Sequence, residues 1–221
     1  MLTLHYHPFS SFCQKVLVAL YERDVPFTPR QVDLGDAGER AALAALWPMC
    51  RFPVLTDDAA GRAIPESSII IEYLDGHGTA AAALIPADPA AAIEVRLMDR
   101  LFDHYVELPM QRIVGDHLRP EDKRDPHGVA EARATLGTAY AMLEERLAGR
   151  AWAAGDAFSL ADCSAAPALF YAEWVQPFTG DHPALAAYFR RLWDRPSFAR
   201  VLEEARPYRA YFPVPAPPPG D

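Results

Sequence analysis

The chain reads as an α/β unit of βαβαββα order followed by an all-helical domain, and three observations lead there. Near the start, alternation of apolar and polar residues gives way within ten residues to helical spacing. Two short strand segments flank a turn between residues 52 and 64. Beyond a Gly-, Ala- and Pro-rich stretch from Gly76 to Pro89, the apolar patterns have the period of a helix.

Leu2-Thr3-Leu4-His5-Tyr6 alternates as a strand does, and after Pro8 the residues Phe12, Val16, Leu17 and Leu20 fall on one helix face. Ser11 and Gln14 stand in the S-x-x-Q relation of a capping box, which sets the helix start near Ser11 and gives Ser11 the role of cap. The helix ends before Pro26. Phe27 to Val32 is a second strand, and with the first it makes a parallel βαβ unit. A short Ala-rich helix spans Glu39 to Leu46. Phe52 to Thr56 and Ala63-Ile64 pair around Asp57, Asp58 and Gly61 as an antiparallel hairpin, and Ser67 to Leu74 is helical.

In the second part, Ala90 to Val114, Val129 to Leu147, Leu160 to Gln176, Ala184 to Trp193 and Ser197 to Ala205 carry helical spacing, with Gly or Pro between them. The expected division is residues 1–76 as the first domain, 77–89 as a linker, 90–210 as the helical domain and 211–221 as a Pro-rich tail. The run from Pro213 to Pro219 suits neither helix nor central sheet, and is expected to lie extended on the surface.

With 221 residues, 51% of them apolar, the chain can bury a full core. Its 21 Lys and Arg against 30 Asp and Glu give a net charge of -9 without a basic stripe, which argues against nucleic acid or an anionic membrane as partner and leaves small molecules. The first residues lack the form of a signal peptide, and no apolar run reaches membrane-spanning length, so a cytoplasmic protein is expected. Cys13, Cys50 and Cys163 are odd in number and without a CxxC pair, which points to reduced thiols. His5 and His7 share a strand face as an H-x-H pair, but no third ligand accompanies them, and no metal is expected.

Four motifs then stand in order: Pro8-Phe9-Ser10-Ser11-Phe12-Cys13-Gln14-Lys15-Val16, Arg51-Phe52-Pro53-Val54-Leu55, Pro65-Glu66-Ser67-Ser68 and Phe158-Ser159-Leu160-Ala161-Asp162. Together they resemble the cytosolic glutathione S-transferase family, of a serine type like its bacterial or zeta and tau branches, and the likeness covers nearly the whole chain. It implies a thioredoxin-like first domain, a helical bundle as the second, glutathione as co-substrate, a small hydrophobic electrophile as the other substrate, and a homodimer. The fourth motif, by the same resemblance, caps and anchors a core helix and is structural.

The resemblance also assigns residues. A thiol with a pKa of about 8.5 is mostly un-ionised at neutral pH, and lowering it by two units asks for about 2.7 kcal/mol in favour of the anion. A hydroxyl donated to the sulfur and the positive end of a helix both contribute. Ser10 stands just ahead of that helix as the expected donor, with Ser11 helping or capping and Tyr6 as the other candidate. A cis peptide before Pro53 would turn the Val54 backbone towards the cysteinyl unit. Glu66 and Ser67, at a helix start, would take the γ-glutamyl end, its carboxylate on free amides and its ammonium on Glu66. Arg51, where the family more often has Lys, would reach the glycyl carboxylate, while Cys50 replaces a common Gly. The electrophile is expected against Pro8, Phe9, Tyr105 and Met110, near Asp103 and His104. The reaction could be conjugation, halide displacement or peroxide reduction. Two alternatives stand beside it: glutathione-dependent isomerisation of the maleylacetoacetate type, although Phe12 replaces the Cys of that signature, and a non-catalytic glutathione-binding scaffold.

Overall fold

The computed structural model describes residues 1–78 and 83–214; residues 79–82 of the expected linker and 215–221 of the expected tail lie outside the described residues. The first part runs β1 (Leu2–Tyr6), α1 (Ser11–Glu22), β2 (Thr28–Gln31), α2 (Ala37–Leu46), β3 (Val54–Asp57), β4 (Arg62–Pro65) and α3 (Ser67–Leu74). Its sheet has the order β2-β1-β3-β4, with β1 parallel to β2 and β3 antiparallel to both of its neighbours. Leu4 stands opposite Leu55, and Leu55 opposite Ile64, so one row of apolar side chains crosses three strands. That row joins α1 and α3 in the main core, while Val32 and Val54 on the other face pack with Leu43 of α2. This is the thioredoxin-like arrangement expected of the βαβαββα order.

The second part is helical: α4 (Pro89–Leu101), a π-helical turn (Phe102–Glu107), α5 (Leu108–His117), α6 (Pro126–Leu147), α7 (Leu160–Val175), α8 (Pro183–Trp193) and α9 (Pro196–Ala205), followed by a 3-10 stretch (Arg206–Tyr211). Each of α4, α6, α8 and α9 opens on a proline, one to three residues ahead of the apolar pattern. Proline suits the first helical position because its missing N–H would have no helical partner there. Asp88 and Asp125 cap the first two of these, accepting the amides of Ala91 and Gly128 at 2.8 Å each. The long helix expected to end at Val114 runs on to His117, with its middle turn widened.

The axis of the molecule is α7, buried along its whole length and packed against α1 and α4. Asp162 fixes its start: the carboxylate accepts the Ser159 amide at 2.9 Å, the Ala153 amide at 2.8 Å and the Tyr188 hydroxyl at 2.7 Å. Burial raises its pKa against those bonds. The motif thus serves helix α7 and the loop before it. Among the described residues no helix is long and apolar enough to cross a membrane.

Candidate active site

Two clefts open along the seam where α1 meets the α4–α5 run. The first, of about 510 Å³, gathers Arg51, Phe52 and Pro53 from the segment before β3, Glu66 and Ser67 from the start of α3, and Arg100, Asp103 and His104 from the second domain. The second, of about 310 Å³, gathers Phe9, Ser10 and Ser11, then Met110, Gln111 and Val114 of α5, with Tyr171, Tyr211, Phe212 and Pro213. Phe12, one residue past the two serines, lines the first cleft. The first turn of α1 therefore separates the two.

The peptide bond Phe52–Pro53 is cis. It lies on the wall of the first cleft, whereas Val54 is fully buried, with His5 of β1 and Pro65 of β4 as its partners on either side. Glu66 has φ of +71°, a region that costs a non-glycine residue roughly 1–3 kcal/mol and tends to mark functional sites. Cys50 sits at φ of +51°, which accounts for glycine being suited to that position. The opening amides of α3 have no side-chain cap, and they begin at Ser67, itself buried beside the cleft.

Beneath the first cleft lies a buried ionic network. Lys15 Nζ meets Asp99 at 2.6 Å and Asp103 at 2.8 Å, and donates to Ser68 Oγ at 2.8 Å. Arg100 reaches both carboxylates at 2.7 Å from the cleft side, and Ser164 bonds Asp99 from α7. Burial would raise Asp99, but Lys15, Ser164 and Arg100 outweigh it and hold the carboxyl below its ordinary value. At Asp103 burial prevails over Lys15, and the pKa lies above the ordinary value.

The capping role expected of Ser11 and Gln14 is not what forms. Ser10 occupies the N-cap position without a side-chain cap bond. The Ser11 hydroxyl donates across the seam to Glu107, and Gln14 Nε2 donates to the Pro8 carbonyl and to the Tyr171 hydroxyl at 2.9 Å each. A partner ninety-six residues away takes the hydroxyl that local spacing assigns to the helix end. Glu107 is 2% exposed, and burial drives its pKa up to about 7 against the hydrogen bonds of Ser11 and Gln111.

Of the other expected site residues, Met110 and Phe9 line the second cleft, the latter with its ring edge on Tyr171 at 5.4 Å. Pro8 is buried, Tyr105 is 50% exposed on the π-turn, and neither lines either cleft. Tyr6 is half-buried and likewise outside both, its phenol pushed up by burial and then by Glu204, Tyr208 and Cys13. Burial pushes the Cys13 thiol up to about 12, against bonds from Ser10 and the His7 backbone that lower it. His7 accepts the Phe9 amide on Nδ1 at 3.2 Å and packs its ring by Tyr208.

Sequence reasoning missed Lys15, Gln14 in its observed role, Asp99 and Glu107. Two signals were available: Ser11, Gln14 and Lys15 are polar at i, i+3 and i+4 of an otherwise apolar helix, and Asp99, Asp103 and Glu107 are acids at i, i+4 and i+8 of another. It also missed Tyr211 and Phe212, where the expected tail folds back to wall the second cleft.

Comparison with known proteins agrees with this geometry. The family model for the glutathione S-transferase N-terminal domain matches residues 4–79, and that for the C-terminal domain matches residues 101–196. A glutathione S-transferase of Pseudomonas putida is 26% identical over 210 residues, 92% of each chain. FtsZ-localized protein A of Caulobacter vibrioides is 29% identical over 217 residues, covering 93% of this chain and 92% of that one. The crystal structure of a glutathione S-transferase from Methylobacillus flagellatus with glutathione bound superposes with a TM-score of 0.84 at 29% identity, covering 91% of this chain and 98% of the other. From the cis-proline wall and the α3 start to the Ser159–Asp162 anchor, this chain belongs to the cytosolic glutathione S-transferase family.

Proposed function

We propose that this protein is a glutathione transferase that activates the glutathione thiol at the start of α1 for attack on a small hydrophobic electrophile. The observation that carries the reading is that the first turn of α1 stands between two unlike clefts. Phe12 lines one that gathers charged side chains such as Arg51, Glu66 and Arg100, and Ser10 and Ser11 line the other beside aromatic and aliphatic side chains. Glutathione, γ-Glu-Cys-Gly, fits the first: the γ-glutamyl carboxylate on the opening amides of α3 and Ser67, its ammonium on Glu66, and the glycyl carboxylate on Arg51. Its cysteinyl backbone runs along Phe52, Pro53 and Val54, which delivers the sulfur to Ser10. Ser10 donates its hydroxyl to the thiolate, and the positive end of α1 adds to that.

The electrophile lies in the second cleft against Phe9, Met110, Tyr171 and Phe212. A cytoplasmic homodimer completes the reading, and exposed Ile69 of α3 with Ile93 and Leu97 of α4 supplies an apolar face for a second copy. Turnover of an activated aryl halide with glutathione, measured for the wild type and Ser10→Ala, tests the assignment. A loss of at least tenfold in kcat with bound-thiolate absorbance diminished is expected; unchanged turnover and absorbance would remove Ser10 from the role. The likeness to FtsZ-localized protein A supports a second reading, a glutathione-binding scaffold. Retention on immobilised glutathione without turnover of any electrophile in a panel would favour it.

A further inference from the structure

The two serines at the start of α1 differ in what their hydroxyls meet: Ser10 bonds the buried, neutral Cys13 thiol, a weak partner that a thiolate can replace, whereas Ser11 bonds a carboxylate. A serine has one O–H to donate. Ser11 spends it on Glu107 Oε1, so towards the second cleft its oxygen can only accept. A thiolate offers it nothing, but a thiol S–H does.

Glu107 is built to receive what Ser11 passes on. Gln111 Nε2 donates to its Oε1 at 2.7 Å and holds that oxygen on Ser11. Its Oε2 is buried and has no hydrogen-bond partner among the described residues. A carboxylate with one bare oxygen in a dry site is expensive, and a proton on that group relieves the cost. The π-turn matters here. Along a regular helix residues four apart drift by about 40° per step, so Glu107 would rotate away from the face that Asp99 and Asp103 present to α1. The wider turn from Phe102 to Glu107 brings it back over Ser11.

We propose that Glu107 is the acceptor of the glutathione thiol proton, reached through the Ser11 hydroxyl. The S–H proton passes to Ser11 Oγ as the Ser11 hydroxyl proton passes to Glu107 Oε1. The products are a thiolate, an unchanged serine and a neutral carboxylic acid, with no charge gained or lost overall. The inference rests on the reading that glutathione places its sulfur beside Ser10 and Ser11. It divides the labour between them: Ser11 receives the proton and Ser10 holds the anion that remains.

The surroundings fit a proton acceptor working near neutrality. From its own turn Glu107 faces Asp103, which raises its pKa, and from α1 it faces Lys15, which lowers it. On α4 beyond them, Asp99 and Arg100 are joined in the Lys15 network. From α7 it faces the Tyr171 phenol, and from α5 the neutral Gln111. The buried face of α6 carries one titratable group, the Tyr140 phenol, bonded to the Gln176 carbonyl. The net result, with burial foremost, is a carboxyl at about 7, where a base serves best at physiological pH.

The test uses the full chain, glutathione and an activated aryl halide, with wild type, Glu107→Gln, Ser11→Ala and Ser10→Ala compared across pH. For Glu107→Gln, kcat at slightly alkaline pH is expected to fall about tenfold or more, with KM for glutathione within twofold and the acid limb near pH 7 abolished. Infrared difference spectra of the wild type add a readout that needs no variant: glutathione added above pH 7 should create a protonated-carboxyl band, absent in Glu107→Gln. No such band in the wild type, or a variant that keeps both its kcat and its acid limb, overturns the proposal while a Ser10→Ala loss leaves the site reading standing. A wild type that forms no bound thiolate at any pH overturns the site reading itself, and this inference with it.

Discussion

Asp99 and Asp103 on one side, and Glu107 on the other, stand four residues apart on one helical run, face the same helix of the first domain, and end in different states. The two aspartates share Lys15 and Arg100, and the hydroxyls of Ser68 and Ser164 donate to Asp99. Glu107 has a serine and a glutamine on one oxygen and no partner for the other among the described residues. Position along the helix does not separate them; the residue opposite on α1 does. Lysine at position 15 makes an ionic lock between the domains, and serine at position 11 makes a site where charge can move.

The largest expected effect breaks the lock. Lys15→Met removes a buried cation and leaves two buried carboxylates facing Arg100 alone, which should cost about 3–5 kcal/mol in denaturant unfolding. The loss should ease on acidification, as a carboxyl left without its cation takes a proton. A cost below about 1 kcal/mol would show that the network contributes little to domain docking.

The counterpart at Glu107 has the opposite sign. Its folded pKa, about 7, lies above its ordinary 4.5, so the folded protein holds the proton more tightly. Its stabilising contribution is complete below about 4.5 and is lost as pH rises through about 7. Glu107→Gln, neutral at every pH, should therefore unfold at higher free energy than the wild type at about pH 8, by up to about 3 kcal/mol, and match it near pH 4.5. Together with lower turnover this would be a group kept for chemistry at the expense of stability. Equal pH profiles of stability for the two proteins would show that Glu107 titrates as an ordinary carboxylate.

Much of this fold could be read from local pattern, since strand alternation, helical spacing, the Ser159–Asp162 box and the proline before β3 are each written within a few residues. Ser11 shows where such reading stops. S-x-x-Q describes a capping box in any chain, and only the folded chain brings Glu107 near enough to compete for the hydroxyl. Lys15 reads as an ordinary polar residue of an amphipathic helix until the second domain covers it with two carboxylates. Phe212 lies at the head of a proline run that looks extended, yet its ring stacks on Tyr171 at 5.9 Å and meets Trp174 edge-on at 4.6 Å. Long-range partners decide all three.

Phe212 also offers a third, smaller test, on the far side of the seam from the ionic lock. Phe212→Ala takes an aromatic wall from the second cleft and leaves the first untouched. KM for an aromatic electrophile should rise roughly five- to thirtyfold, equivalent to about 1–2 kcal/mol, with KM for glutathione unchanged. A parallel rise in both constants would mean that the segment supports α1 as a whole and is not specific to the second substrate.

The smallest effect belongs to an ion pair that resembles the lock in chemistry and differs in setting. Arg96 of α4 meets Glu72 of α3 through two bonds of 2.9 Å, so this pair also joins the two domains. Both side chains remain substantially in water, at 47% and 35% exposure, where the attraction is screened and two long side chains must be held still to make it. Arg96→Ala should cost less than about 1 kcal/mol, and added salt should shrink the difference between variant and wild type. The same salt should change the Lys15→Met penalty much less, because the Asp99 and Asp103 carboxylates are almost fully buried and buried charges are screened far less than exposed ones. If Arg96→Ala instead costs as much as Lys15→Met, and more so at high protein concentration, the pair is shielded by a second copy resting on Ile69, Ile93 and Leu97. The contrast between the two pairs would then be one of assembly and not of burial within the chain.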